Sequence, residues 1–361
     1  MQVETNKIRV MVVDDSAVMR KLISNLLARD SEIEVIATAI DGDFALSKIE
    51  QMKPDVVTLD VEMPRMDGLT TLDHIVSKYR LPVVMLSSFT ERGAAATMQA
   101  LEMGAVDFVC KPKVASQIGG MADELISKVK AAARSDVAAL NLRLGNAVSK
   151  KAKPQTAMAQ PNAAQILAIG ASSGGPHALR YLLPRLPVDF AAPILIVQHL
   201  PEAFTRMLAR WLDEMCAIEV KEATAGERAI AGLAYIAPAK AHMKVKKVTG
   251  GAEIQLECGA TVNGHMPSVD VLFKSVAESF GASATAVIMT GMGSDGATGL
   301  GEIRQAGGHT IAQDEESCSV FGMPRVAIQR GCAKQVLALA DIAPQLISRI
   351  GRSGFVEKSY A

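Results

Sequence analysis

Aromatic residues are scarce in this 361-residue chain: Phe, Tyr and Trp make up 4% of a sequence that is 49% hydrophobic. Ala, Val, Ile and Leu therefore carry the apolar load, the profile of α/β proteins with buried parallel strands. Net charge is missing too, because 38 basic residues cancel 38 acidic ones. That removes the electrostatic footprint of a nucleic-acid or anionic-membrane binder. Cys110, Cys216, Cys258, Cys318 and Cys332 form neither a CxxC motif nor a pairing spacing, as in a reduced cytosolic protein. No apolar run approaches the ~18–20 residues of a membrane span, and residues 1–7 lack the apolar core of a signal peptide. The expectation is a cytoplasmic monomer without membrane insertion or nucleic-acid partner. The length argues for two domains.

The first third alternates apolar bursts, at 8–13, 35–37, 56–59, 83–86 and 106–109, with stretches such as 18–27 whose apolar residues recur at helical spacing. Five strands separated by helices predict a doubly wound, flavodoxin-like (βα)5 domain over 1–132. Residues 133–164 turn to Ala, Ser, Gln, Asn and Lys and read as an interdomain linker. A second alternation follows over 165–352, with strands expected at 166–169, 194–197, 233–236, 286–290 and 310–312. Around Thr249-Gly250-Gly251 two polar-alternating runs, 243–248 and 253–257, read as a hairpin. The second domain is thus expected to be mainly parallel, Rossmann-like α/β with a β-hairpin.

In the first domain, Asp14 and Asp15 follow strand one, Asp60 ends strand three, Ser87 ends strand four and Lys111 follows strand five. All fall at carboxyl strand ends, where open α/β sheets bind ligands. Singly, Asp14-Asp15 reads as a helix cap and Asp60 as a loop acid; together they read as a site. Three carboxylates on one edge call for a hard cation, and Mg²⁺ suits oxygen ligands and a shared phosphoryl group. Asp60 is then a carboxylate nucleophile toward phosphorus, with Asp14 and Asp15 holding the metal. Lys111 and the Ser87 hydroxyl would contact the phosphoryl oxygens. Val12-Val13-Asp14-Asp15-Ser16, Leu59-Asp60-Val61-Glu62-Met63-Pro64, Met66-Asp67-Gly68 and Cys110-Lys111-Pro112 resemble a response-regulator receiver domain. That resemblance implies that Asp60 accepts a phosphoryl group from a histidine kinase. It also implies that the Glu62 carbonyl completes the Mg²⁺ shell and that Phe108 is a switch aromatic.

The second domain opens on Gly170-Ala171-Ser172-Ser173-Gly174-Gly175. This run does not match GxGxxG and lacks the basic residue of a P-loop. It does fit G-x-S-x-G, in which a strained strand-to-helix turn exposes a serine; a glycine-rich turn with Ser as helix N-cap is the competing reading. Of the histidines, His199 follows the strand at 194–197 on the same edge as Ser172. His309 precedes its strand, His177 lies in the helix after the turn, and His242 and His265 are not excluded by pattern. Thr290-Gly291-Met292-Gly293-Ser294-Asp295-Gly296 brings Asp295 to the same edge, with glycines that free a backbone N–H for an oxyanion. A rival set, Ser172–Asp270–His309, restores α/β-hydrolase chain order. However, Asp270 suits the first turn of a helix opened by Pro267-Ser268, and His309 lies on the wrong edge.

These motifs, with Gln198-His199, Tyr235-Ile236-Ala237-Pro238 and 264–273, resemble the CheB methylesterase family. The resemblance implies a Ser172–His199–Asp295 hydrolase of glutamyl methyl esters and glutamine side chains on methyl-accepting chemotaxis receptors, with no cofactor for the ester chemistry. The Met292 N–H would face the oxyanion, and residues 263–270 read as structural support. Ser173 and Ser294 stand where the family often has Thr and Asn. A non-catalytic phospho-dependent scaffold is the rival; labelling of Ser172 by a serine-reactive probe separates the two. A DNA-binding regulator fails on the neutral charge and the lack of a helix-turn-helix signal. Joining a receiver to a hydrolase suggests that the unphosphorylated receiver restrains catalysis. Deleting residues 1–150 should then raise basal esterase activity, whereas an isolated second domain no faster than the unphosphorylated whole chain would contradict it.

Overall fold

A computed structural model describes residues 7–88, 90–112, 118–134 and 165–351. The chain forms two compact units, Met1–Gly145 and Asn146–Ala361. Most of the expected linker lies outside the described residues, its first two positions closing a helix. Among the described residues no helix is long and apolar enough to cross a membrane.

In the first unit β1 (Ile8–Val13), β2 (Ile33–Ala39), β3 (Val56–Asp60), β4 (Val83–Ser87) and β5 (Asp107–Cys110) form one sheet in the order β2-β1-β3-β4-β5. All its pairs are parallel. The crossovers are helices α1 (Ala17–Leu27), α2 (Gly42–Met52), α3 (Gly68–His74) and α4 (Glu91–Glu102), and α5 (Ile118–Arg134) closes the unit. Parallel strands covered on both faces must be apolar throughout, and every residue of β3 and β4 is buried. Ser16, not Asp14 or Asp15, caps α1, its hydroxyl accepting from Met19 N–H at 3.3 Å. The two aspartates are therefore not spent on the helix end.

The second unit is built on β6 (Ile166–Ala171), β7 (Ile194–Gln198), β8 (Glu219–Glu222), β10 (Leu233–Ile236), β13 (Ala284–Ile288), β14 (His309–Gln313) and β15 (Gln335–Leu337). Their order, β15-β14-β13-β6-β7-β10-β8, is parallel throughout. The chain starts at β6, builds outward through β7, then returns to add β13 on the other side. This makes the carboxyl end of β6 a topological switch point, where flanking loops part and leave a crevice. The expected hairpin is β11 (His242–Val248) with β12 (Gly251–Glu257), extended by the short β9 (Arg228–Ala229) into a separate antiparallel sheet. Helices α6 (Gly175–Leu182), α7 (Glu202–Met215), α8 (Val269–Phe280), α9 (Ala297–Gln305), α10 (Met323–Gln329) and α11 (Leu339–Ile350) complete it.

The core joins the inner residues of β6, β7 and β13 to Val269, Leu272, Phe273 and Val276 of α8. Each such side chain contributes roughly 1.5–3 kcal/mol when fully buried. This packing is tight where it matters to the site. A methyl group on Gly170 would stand 2.2 Å from Val269 Cγ1, so β6 and the start of α8 approach as closely as glycine allows. Gly170→Ala is expected to destabilise the second unit by about 1–3 kcal/mol, read from urea unfolding; an unchanged midpoint would contradict this packing.

Candidate functional site

In the first unit the strand ends assemble an acidic cluster. Asp14, Asp15 and Asp60 each offer a carboxylate oxygen, all within 4.8 Å of one another. Lys111 Nζ reaches Asp14 Oδ2 at 2.8 Å and Asp60 Oδ2 at 2.7 Å. Burial pushes the Asp60 carboxyl up to about 6, with Asp14 adding to the rise and Lys111 and the Glu62 N–H opposing it. Burial alone would lower the Lys111 ammonium, but the facing Asp60 and Asp14 outweigh it and hold it above its usual value. Three carboxylates that share one ammonium form an all-oxygen donor set still short of positive charge, which fits a small hard dication.

The other residues expected at this edge are not all gathered there. Glu62 meets Asp60 only through its backbone N–H, at 3.4 Å from Oδ1. Ser87 is turned toward α4, accepting from Thr97 Oγ1 at 2.7 Å and donating to Gly93 O at 3.2 Å. Phe108 is buried, with the Lys128 ammonium 5.1 Å from its ring centroid and 2.5 Å from its carbonyl oxygen.

In the second unit Ser172 follows β6 directly, between its two neighbouring strands. Its N–H donates to Thr290 O at 3.0 Å on the β13 side, and its carbonyl accepts from Gln198 Nε2 at 2.7 Å on the β7 side. The cap of α6 is Gly174, at φ 74°, with no side-chain bond, so neither serine of the turn serves as the helix cap. That left-handed turn favours glycine, and a Cβ there would stand 2.5 Å from Ser319 Cβ.

His199 follows β7, its N–H donating to Ala171 O at 3.1 Å. Its Nε2 lies 2.9 Å from Asp295 Oδ2. Asp295 is 1% exposed and saturated with donors. Asn263 Nδ2 and Ser268 Oγ donate to Oδ1 at 2.9 and 2.7 Å, and the Val269 N–H to Oδ2 at 2.7 Å. Burial alone would raise this carboxyl, but the hydrogen bonds from His199, Asn263 and Ser268 outweigh it and hold it below the usual carboxylate range. An ionised Asp295 only accepts, so His199 Nε2 donates in this bond and Nδ1 is the ring nitrogen left over. That Nδ1 is buried without a partner. Among the described residues no hydrogen bond joins it to Ser172 Oγ.

The remaining histidines sort clearly. His309 pairs with Gln335 at 2.9 Å at the amino end of β14, and Asp270 binds Gly299 N–H at 2.7 Å in the first turn of α8. The rival set is therefore not assembled. His242 Nε2 lies 3.0 Å from Ala260 O and its Nδ1 accepts from Ser268 N–H at 3.2 Å, so it supports the residue that holds Asp295. His265 stacks on His199, a contact no spacing pattern signalled. Gln198 was also missed as a support: its amide bridges the carbonyls of Ser172 and His199 at 2.7 and 3.3 Å. In the turn after β13, Gly291 N–H is committed to Val320 O at 3.0 Å, while Met292 is 38% exposed.

Comparison with known proteins identifies both units. Residues 167–346 match the CheB methylesterase family and residues 10–122 the response regulator receiver domain. A protein-glutamate methylesterase/protein-glutamine glutaminase of Koribacter versatilis is 50% identical over 95% of this chain and 96% of its own. The protein of that name from Salmonella typhimurium is 46% identical over 96% and 97%. The crystal structure of the Thermotoga maritima CheB methylesterase catalytic domain superposes with a TM-score of 0.50 at 41% identity, covering 51% of this chain and 97% of that one. With relatives this similar across nearly its whole length, the chain belongs to the CheB methylesterase family, carrying an N-terminal receiver domain.

Proposed function

We propose that the protein is a phosphorylation-regulated protein-glutamate methylesterase and protein-glutamine glutaminase acting on chemoreceptors, with Ser172, His199 and Asp295 as its catalytic residues. The observation that carries this reading is the His199–Asp295 hydrogen bond at 2.9 Å, at the switch-point edge that also presents Ser172. Asp295 holds the Nε2 proton, so Nδ1 is the base that takes the Ser172 hydroxyl proton as Oγ attacks the glutamyl carbonyl. Met292 N–H is the candidate donor to the resulting oxyanion. His199 then returns its proton to the leaving methanol, or to ammonia from glutamine. Attack by water on the acyl-serine, again with His199 as base, releases glutamate. Asp295 stays ionised and stabilises the imidazolium formed in each half of the reaction.

In the receiver, Asp60 is the phospho-acceptor and a histidine kinase the donor. Asp14, Asp15, Asp60 and the Glu62 carbonyl would hold Mg²⁺, which supplies positive charge to the phosphoryl oxygens when bound. Lys111, already paired with Asp60, is placed to take up the new negative charge. Ser87 must leave its bonds to α4 to reach the same group, which supports a coupled change in that helix. The cytoplasm is the compartment in which these partners meet.

Ser172→Ala is expected to lower methanol release from methylated receptors by about 10⁴-fold or more while leaving unfolding unchanged. Asp295→Asn should lose about 10⁴-fold, through the wrong His199 tautomer. Retained turnover in Ser172→Ala would overturn the assignment. A pH effect follows from His265, whose imidazole is lowered to about 4, by burial first and His199 second. The unfolded chain binds a proton there below about 6.5 while the native state does not. Stability of the second unit should therefore fall as pH drops from that value through 4, and His265→Phe should flatten the fall. A parent and variant with parallel pH–stability curves would contradict it.

A further inference from the structure

Resting on the assignment of His199 as the base, we propose that His265 is a positioning residue whose imidazole fixes the plane of the His199 ring by stacking on it. The two ring centroids are 3.8 Å apart and the planes diverge by only 7°. Among the described residues the His265 ring makes no hydrogen bond, so its face is what it contributes. The backbone that carries the ring is closely fixed. Val262 and His265 exchange N–H···O bonds of 3.0 and 2.9 Å across a two-residue turn. Asn263 and Gly264 occupy that turn at φ 54° and 80°, the dipeptide that such turns favour.

The same turn reaches the acid as well. Asn263 Nδ2 donates to Asp295 Oδ1 at 2.9 Å and to Asp270 Oδ2 at 2.8 Å. One tight loop thus holds the carboxylate through its amide and presses on the imidazole with its next ring. This answers a mechanical need. The His199 ring makes a single hydrogen bond, the Nε2 contact with Asp295, and its Nδ1 has no partner. One hydrogen bond leaves a ring free to pivot about that contact, which would swing Nδ1 away from the serine. A flat partner at van der Waals distance blocks the pivot, and misplacement of a reacting group by about 1 Å can cost 10²-fold in rate. Burial keeps His265 neutral at physiological pH, so the imidazolium formed during catalysis meets a π face, not a second cation.

The test compares His265→Phe with His265→Leu in the full-length, phosphorylated protein, measuring methanol release from methylated receptors and urea unfolding. Phe keeps a flat face and should retain kcat within about threefold. Leu fills similar volume without one; it should lose tenfold or more in kcat, with KM within about twofold and unfolding unchanged. A Leu variant as active as the parent overturns the proposal. So does a Phe variant that falls as far as Leu, since the imidazole nitrogens would then be required, or a Leu variant that loses its fold. An inactive parent would instead overturn the esterase assignment, and Ser172→Ala in the same assay sets the background.

Discussion

The chemistry of the second unit hangs on one buried carboxylate. Asp295 is nearly inaccessible, and a charge there is tolerable only if every lone pair is used. The protein meets that demand from separate places: His199 after β7, Asn263 in a tight turn, and Ser268 with the Val269 amide at the start of α8. The start of a helix is a favourable neighbour for an anion, because its free N–H groups point outward. Ionisation of Asp295 makes His199 Nε2 the donor of their hydrogen bond, and so leaves Nδ1 as the nitrogen for the proposed base. Gly170, packed against Val269, ties the same helix start to the strand that presents Ser172.

The two units use one architectural rule for different ends. In each, a parallel sheet brings chemistry to its carboxyl edge. The first crowds Asp14, Asp15 and Asp60 around a single Lys111, and burial raises the acid expected to be phosphorylated. Such a site is short of positive charge and gains from a dication. The second spends many donors on a single acid and drives it the other way. The first arrangement suits transient capture of a phosphoryl group, and the second suits proton transfer at neutral pH.

Much of this was legible in the sequence, for physical reasons. Strands buried on both faces write themselves as aliphatic runs, so β1, β3, β4, β6, β7 and β10 fell within two residues of expectation. Strand β13 ends earlier than its apolar run, because Thr290 N–H turns to the Gln313 side chain at 2.9 Å. The edge strands β8 and β15 were not anticipated. Glu219–Glu222 is mostly charged and Gln335–Leu337 has only three residues, and edges blunted by charge or brevity hide the apolar signal. The placement of Ser172, His199 and Asp295 at one sheet edge was legible because each terminates a recognisable strand or glycine turn. Residues 263–270 were legible as a supporting segment, but the particular contacts of Ser268 and His265, and the bridging role of Gln198, were not, since they join segments distant in sequence. Asn263-Gly264 was the one available clue, a dipeptide that favours a two-residue turn and so places His265 beside a fixed backbone.

The central claim is that Asp295 anchors His199 through Nε2 and leaves Nδ1 as the base. Long-range ¹H–¹⁵N NMR of histidine-labelled full-length protein at neutral pH tests it directly, with His199→Gln used to assign the signal. The predicted result is a protonated Nε2 hydrogen-bonded to carboxylate and an unprotonated Nδ1, with that pattern lost in Asp295→Asn. A proton resident on Nδ1 in the parent protein would contradict the account.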